Sequence, residues 1–148
     1  MKTVERILVP LDRHPGSEHV LEYAAAIARG LGATIRLFHV YWPPNSMVGI
    51  VPGASVTEDA AEEASLGRAL LARAKGDLQT NALDRVEMVL ERAPSPSIAI
   101  VEASRLGCGL VVIGMHGRKR ASVLMGSVAY QVLRNAPCPV LAVHLPHE

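Results

Sequence analysis

Leu110-Val111-Val112-Ile113-Gly114 is a run of four apolar residues closed by a glycine. With no polar residue at alternate positions, it reads as a strand buried on both faces, as in parallel sheets. Ile7-Leu8-Val9-Pro10-Leu11 has the same character, and so does Val140-Leu141-Ala142-Val143 near the end of the chain. Thr34 to Val40 is a further strand. Arg85 to Glu91 alternates, with Val86, Met88 and Leu90 on one face and Glu87, Val89 and Glu91 on the other, which fits a less buried strand near a sheet edge.

Helical spacing fills the intervals. Val20, Leu21, Ala24, Ile27, Ala28 and Leu31 follow a turn and cap at Pro15-Gly16-Ser17, and Gly30 and Gly32 stop this helix. Thr57 opens a long helix to about Asn81, in which Gly67 and Gly76 each lower helix stability by about 1 kcal/mol relative to Ala. Ser95-Pro96 is a cap followed by proline at the first helical position, and Gly107 ends that helix after Leu106. The last helix runs from Ser127 to about Asn135 and is broken by Pro137-Cys138-Pro139. The order β-α-β-α-β-α-β-α-β predicts an α/β fold: one five-stranded parallel sheet with helices on both faces, a single domain over residues 1–148. Residues 42–55, with three prolines and two glycines, form the one long loop.

Composition excludes several function classes. Of 148 residues, 49% are hydrophobic and 20% charged, a globular balance. Net charge is +1 and aromatic residues make up 3%, so neither a basic face nor a base-stacking platform points to nucleic acid. No apolar run reaches the roughly 18 residues of a membrane helix, and no signal-peptide core follows Met1. The expected setting is cytoplasmic, with Cys108 and Cys138 as reduced thiols in the core, and the six histidines lack metal-ligand spacing.

Ligands of open α/β sheets bind beyond the carboxyl ends of the strands, where strand order reverses. The first strand ends in Pro10-Leu11-Asp12. The fourth leads into Gly114-Met115-His116-Gly117-Arg118-Lys119-Arg120, and Gly126-Ser127 then opens a helix. Glycines that admit close backbone approach, three cations and a helix N-terminus together describe a phosphate cradle. A plain turn with a solvated basic tip remains the alternative. Asp12, at the opposite pole, suits ribose hydroxyls, with helix capping as its alternative. No P-loop, Rossmann fingerprint or nucleophile elbow is present, and His116 without a partner is weak ground for acid–base catalysis.

These stretches resemble the universal stress protein family, over nearly the whole chain. The carriers are Ile7-Leu8-Val9-Pro10-Leu11-Asp12 at the start and Leu37-Phe38-His39-Val40 at the second strand. The most specific part runs from Val112-Ile113-Gly114-Met115-His116-Gly117 through Gly126-Ser127-Val128-Ala129 to Ala136-Pro137-Cys138-Pro139-Val140-Leu141. The resemblance implies a flavodoxin-like, adenine-nucleotide-hydrolase-like fold with strand order 3-2-1-4-5, and a homodimer paired through the C-terminal strand. It also implies the ATP-binding branch, in which the protein is a stress-response signalling module with no catalytic residue and at most slow hydrolysis. Pro10, Leu11 and Asp12 would then hold adenine and ribose, and Val40 would contact adenine. Ile113 and Gly114 would line the floor, Gly117 and Arg118 would meet the phosphates, and Gly126, Ser127 and Val128 would hold them at the helix start. ATP is the implied ligand, with magnesium as a candidate companion. Two other readings share the site: a dimeric interaction protein without nucleotide, and an α/β enzyme with an adenine nucleotide as substrate. The chain departs from the family's G-x2-G-x9-G-[ST] pattern, since eight residues rather than nine separate Gly117 from Gly126. It also inserts Arg13-His14-Pro15 before Gly16-Ser17.

Overall fold

The structure is a computed structural model that describes residues 3–42, 56–115 and 127–146. Its elements in chain order are β1 (Arg6–Pro10), α1 (Ser17–Leu31), β2 (Thr34–Tyr41), α2 (Val56–Thr80), β3 (Val86–Arg92), α3 (Pro96–Ser104), β4 (Leu110–Met115), α4 (Ser127–Asn135) and β5 (Val140–His144). The five strands form one parallel sheet in the order β3-β2-β1-β4-β5. The basic stretch after Met115 and all of the long loop except Trp42 lie outside the described residues.

Alternation along each strand divides the core in two. Ile7, Val9, Leu11, Ile35, Leu37 and Val112 face α1 and α2, where they meet Val20, Ala24, Leu71 and Leu78. Leu8, Phe38, Val111 and Ile113 face α3 and α4, where they meet Ile100, Val101, Ala129 and Val132. The central strand β1 is fully buried at Ile7, Leu8 and Val9, as its unbroken apolar run requires. The alternating strand β3 is an edge, and Met88 remains 44% exposed on it.

Three of the boundaries that differ from the sequence reading concern a glycine, and at the first of them strand pairing outweighs the local signal. β4 does not stop at Gly114: Gly114 and Met115 pair with Val143 and His144 of β5, and the ladder carries the strand onward. α1 continues through Gly30, and Gly32 alone caps it, at φ 64°, a left-handed conformation that glycine adopts without penalty. α3 ends at Ser104 rather than Leu106, and a turn leads to Gly107, at φ 77°. At its other end the Ser95 hydroxyl accepts from the Ile98 N–H, with Pro96 beginning the helix.

Candidate functional site

The strand order reverses between β1 and β4, and there the sheet opens. β1 pairs with β2 from Arg6 to Pro10 but with β4 only at Ile7↔Leu110 and Leu8↔Val111. The segments Pro10-Leu11-Asp12 and Ile113-Gly114 therefore flank the opening at the carboxyl edge of the sheet, beyond the β1–β4 ladder. Val40 lies on the adjacent strand, and Val40 and Ile113 both belong to the α3–α4 side of the core. α4 begins at this same edge with Ser127 exposed and Val128 half-buried. Gly117, Arg118 and Gly126 lie outside the described residues, so the phosphate cradle is represented by Gly114, Ser127 and Val128.

The end of β1 is held by two bonds from β2. The Leu11 side chain is buried against the α1–α2 core, so Leu11 can meet a ligand only through its backbone. Its N–H donates to the Phe38 carbonyl at 2.8 Å. Its carbonyl accepts from His39 Nδ1 at 2.7 Å, and because a carbonyl only accepts, the proton sits on Nδ1. His39 is 6% exposed. The glycine at Gly67 leaves it room: a Cβ there would lie 2.9 Å from His39 Cδ2 and 2.7 Å from Leu90 Cδ1. Periodicity alone passes over both residues. The available signals were a histidine inside an apolar strand and a glycine in the middle of a long helix.

Asp12 shapes the loop that follows. Its Oδ1 accepts from the His14 N–H at 2.9 Å and from the Ser17 hydroxyl at 3.2 Å, which is an Asx turn leading into α1. The same hydroxyl reaches the His14 carbonyl at 2.8 Å, and Gly16 N–H donates to His14 Nδ1 at 3.1 Å. Ser17 is thus the first helical residue; the cap position is Gly16, with no side-chain cap bond of its own. Arg13 is drawn to α2, where it pairs with Glu63.

Gly114 has a packing reason for being glycine. A Cβ there would lie 3.0 Å from Val20 Cγ2 and 3.1 Å from Leu145 Cδ1, tighter than ordinary contact. Leu145 extends the β5 ladder, its N–H donating to the Met115 carbonyl at 3.1 Å, and it also crowds Gly16. It thereby joins the end of β4 to the turn before α1.

These features match known proteins. A model of the universal stress protein family matches residues 3–144. The chain belongs to the universal stress protein family. Universal stress protein A homolog 2 of Coxiella burnetii is 28% identical over 98% of each chain. A universal stress protein of Mycolicibacterium smegmatis is 33% identical over 93% of this chain and 45% of its own length. Among solved structures, the universal stress protein of Archaeoglobus fulgidus in complex with dAMP is 26% identical, with a TM-score of 0.67 over 95% of this chain and 98% of that one. A Burkholderia pseudomallei member of the family shares the fold at a TM-score of 0.76 over 97% and 98%, with 23% identity.

Elsewhere on this universal stress protein fold, an ion-pair cluster lies on the β2–β3 part of the sheet. Glu87 on β3 accepts from Arg36 Nε at 2.9 Å and lies 3.4 Å from Arg6 Nη2. Chiefly the Arg36 hydrogen bond holds its carboxyl below the usual glutamate value. Burial pushes the thiols of Cys108 and Cys138 up, and both are free. Among the described residues, no group of three or more His, Cys, Asp or Glu could hold a metal ion. None of the described helices is long and apolar enough to cross a membrane.

Proposed function

We propose that this chain binds an adenine nucleotide, ATP in the first instance, at the carboxyl edge between β1 and β4, and acts as a cytoplasmic stress-response signalling module. The observation that carries the reading is the opening of the sheet beyond the β1–β4 ladder, flanked by Pro10-Leu11-Asp12 and Ile113-Gly114 on the edge where α4 begins at Ser127. A relative of the same family is known in complex with dAMP, an adenine nucleotide. In this reading Pro10, Leu11, Asp12 and Val40 take adenine and ribose, and Ile113 and Gly114 form the floor. Gly117, Arg118, Gly126, Ser127 and Val128 take the phosphates, assisted by the α4 dipole. Magnesium would arrive on the phosphates rather than in a protein cage, since no described acidic cluster is built for it. In this reading the protein is a binding module, and any hydrolysis it performs is slow.

Mass spectrometry of nucleotide released from heat-denatured, freshly purified protein tests the reading directly, and calorimetry with ATP, ADP and AMP at two salt concentrations refines it. ATP or ADP is the expected release. Neutralising Arg118, Lys119 and Arg120 together weakens ATP binding and flattens its salt dependence. Gly126→Val abolishes binding and leaves the fold intact. Protein that releases no nucleotide and binds none in calorimetry would refute the proposal.

We infer also that the chain forms a homodimer in which β5 pairs antiparallel with its symmetry mate. β5 is a sheet edge, and Leu141 on it is 37% exposed. An apolar edge strand is a ready template for pairing with another chain.

A further inference from the structure

The β1–β2 ladder ends at Pro10↔Phe38, and the residues proposed to read the nucleoside lie just past it. Two bonds hold the chain there, and both come from β2: the Phe38 carbonyl takes the Leu11 N–H, and the His39 ring donates to the Leu11 carbonyl. The second is a side-chain bond in a place where a sheet ordinarily offers backbone. An imidazole buried between the Gly67 position of α2 and the Leu11 backbone is an unfavourable choice unless its polar atoms are used. The chain makes a second unfavourable choice opposite it. Gly67 sits inside the 25-residue helix α2, where alanine would favour the helix, and its missing Cβ is what admits the ring and Leu90. Neither choice serves apolar packing, since an aliphatic residue at 39 facing alanine at 67 would fill such a space with better propensity. Both are accounted for by one requirement, an N–H donor held rigidly beneath the Leu11 carbonyl.

We propose that His39 is a positioning residue for nucleoside recognition: its ring, seated in the notch left by Gly67, fixes the Leu11 carbonyl and with it the direction in which Asp12 leaves the sheet. The proposal rests on the nucleotide reading of this site. His39 itself touches no ligand. It sets the backbone on which the Asp12 turn is built, and that turn in turn carries His14 and Ser17 into α1. Loss of the donor leaves Leu11 attached to β2 by its N–H alone, and its buried carbonyl without its side-chain partner.

The test uses the full chain with His39→Leu, His39→Asn and Gly67→Ala. Asparagine is the conservative variant, since its Nδ2 occupies about the place of the imidazole Nδ1. His39→Leu is expected to weaken AMP binding at least tenfold, His39→Asn to restore it to within about threefold of the unsubstituted protein, and Gly67→Ala to fall between them. Thermal melts accompany each variant. In nucleotide-free protein, amide hydrogen exchange at Leu11 and His14, whose N–H groups are bonded to the Phe38 carbonyl and Asp12 Oδ1, is expected to speed up in His39→Leu and to stay unchanged in His39→Asn, while β4 is unaffected in both. Nitrogen NMR of the unsubstituted protein is expected to show His39 protonated at Nδ1. The proposal is overturned if His39→Leu binds AMP as the unsubstituted protein does, if His39→Asn is as weak as His39→Leu, or if the ring is the Nε2–H tautomer. If the unsubstituted protein binds no AMP, the nucleotide reading fails by itself. The exchange rates then decide the clamp separately, and unchanged rates at Leu11 and His14 in His39→Leu would overturn it. If His39→Leu does not fold, the tautomer and the His39→Asn exchange pattern decide.

Discussion

Gly114→Ala separates two reasons for a glycine at the end of β4. If the residue is glycine so that a ligand can approach the backbone, alanine harms binding and leaves stability alone. The structure gives the other reason. The added Cβ would lie 3.0 Å from Val20 Cγ2 and 3.1 Å and 3.3 Å from the two Leu145 methyls, where ordinary contact begins at 3.4 Å. Val20 is 2% exposed and Leu145 5%, so neither has open space to move into. Overpacking of this kind typically costs about 1–3 kcal/mol. For a chain near 150 residues, each kcal/mol lowers the melting temperature by about 2–4 °C, which puts the expected loss at about 2–12 °C. The assay is urea unfolding and thermal melting of Gly114→Ala, of Leu145→Val, and of the double variant. Shortening Leu145 removes two of the three close contacts and leaves that to Val20, so Gly114→Ala should cost at least about 0.5 kcal/mol less in the Leu145→Val background than alone. A Gly114→Ala protein with unchanged stability and impaired nucleotide binding would refute the packing argument, and so would strictly additive costs.

Three further outcomes are expected. Glu87 carries a carboxyl lowered below the ordinary glutamate value of about 4.3, so its pairing with Arg36 contributes fully above that value and is lost as pH falls through the lowered folded one. Because the pair is partly exposed, the contribution is below about 1 kcal/mol, and Glu87→Gln should flatten the acid limb of a urea-midpoint titration; an unchanged limb counts against it. Cys108 and Cys138, both pushed up by burial, should alkylate at neutral pH at least about tenfold more slowly than in urea-unfolded protein, and equal rates would show that burial does not protect them. In β5, the Val111 N–H bonds to the Pro139 carbonyl with Val111 opposite Val140, so the Ala142 N–H points away from β4. Ala142→Pro should therefore break an antiparallel β5 dimer and spare the sheet, and light scattering that shows a persistent dimer would rule out that interface.

Much of the fold is legible in the chain because its cause is local. Double-sided apolar runs at Ile7–Leu11 and Leu110–Ile113 require a covered parallel sheet, and alternation at Val86–Glu91 marks an edge. The strand ends that form the candidate site follow from the same pattern, since α/β sheets place their sites at carboxyl ends. The sheet order itself came from family resemblance, because periodicity does not say which strands are neighbours.

What only the tertiary structure decided involves residues far apart in the chain. Periodicity ends β4 at Gly114, yet β5 extends it to Met115 through pairing with His144. Gly114 reads as an opening for a ligand, but its missing side chain is accounted for by Val20 and Leu145. Arg13, part of the insertion after Asp12, is paired with Glu63, fifty residues away. His39 and Leu11 are 28 positions apart, and their bond needs β1 beside β2 and α2 notched at Gly67. By itself the sequence determines which faces must be buried, because that depends on the spacing of neighbours along the chain. Which side chain meets which carbonyl depends on the packing of whole elements, and that is a property of the folded molecule.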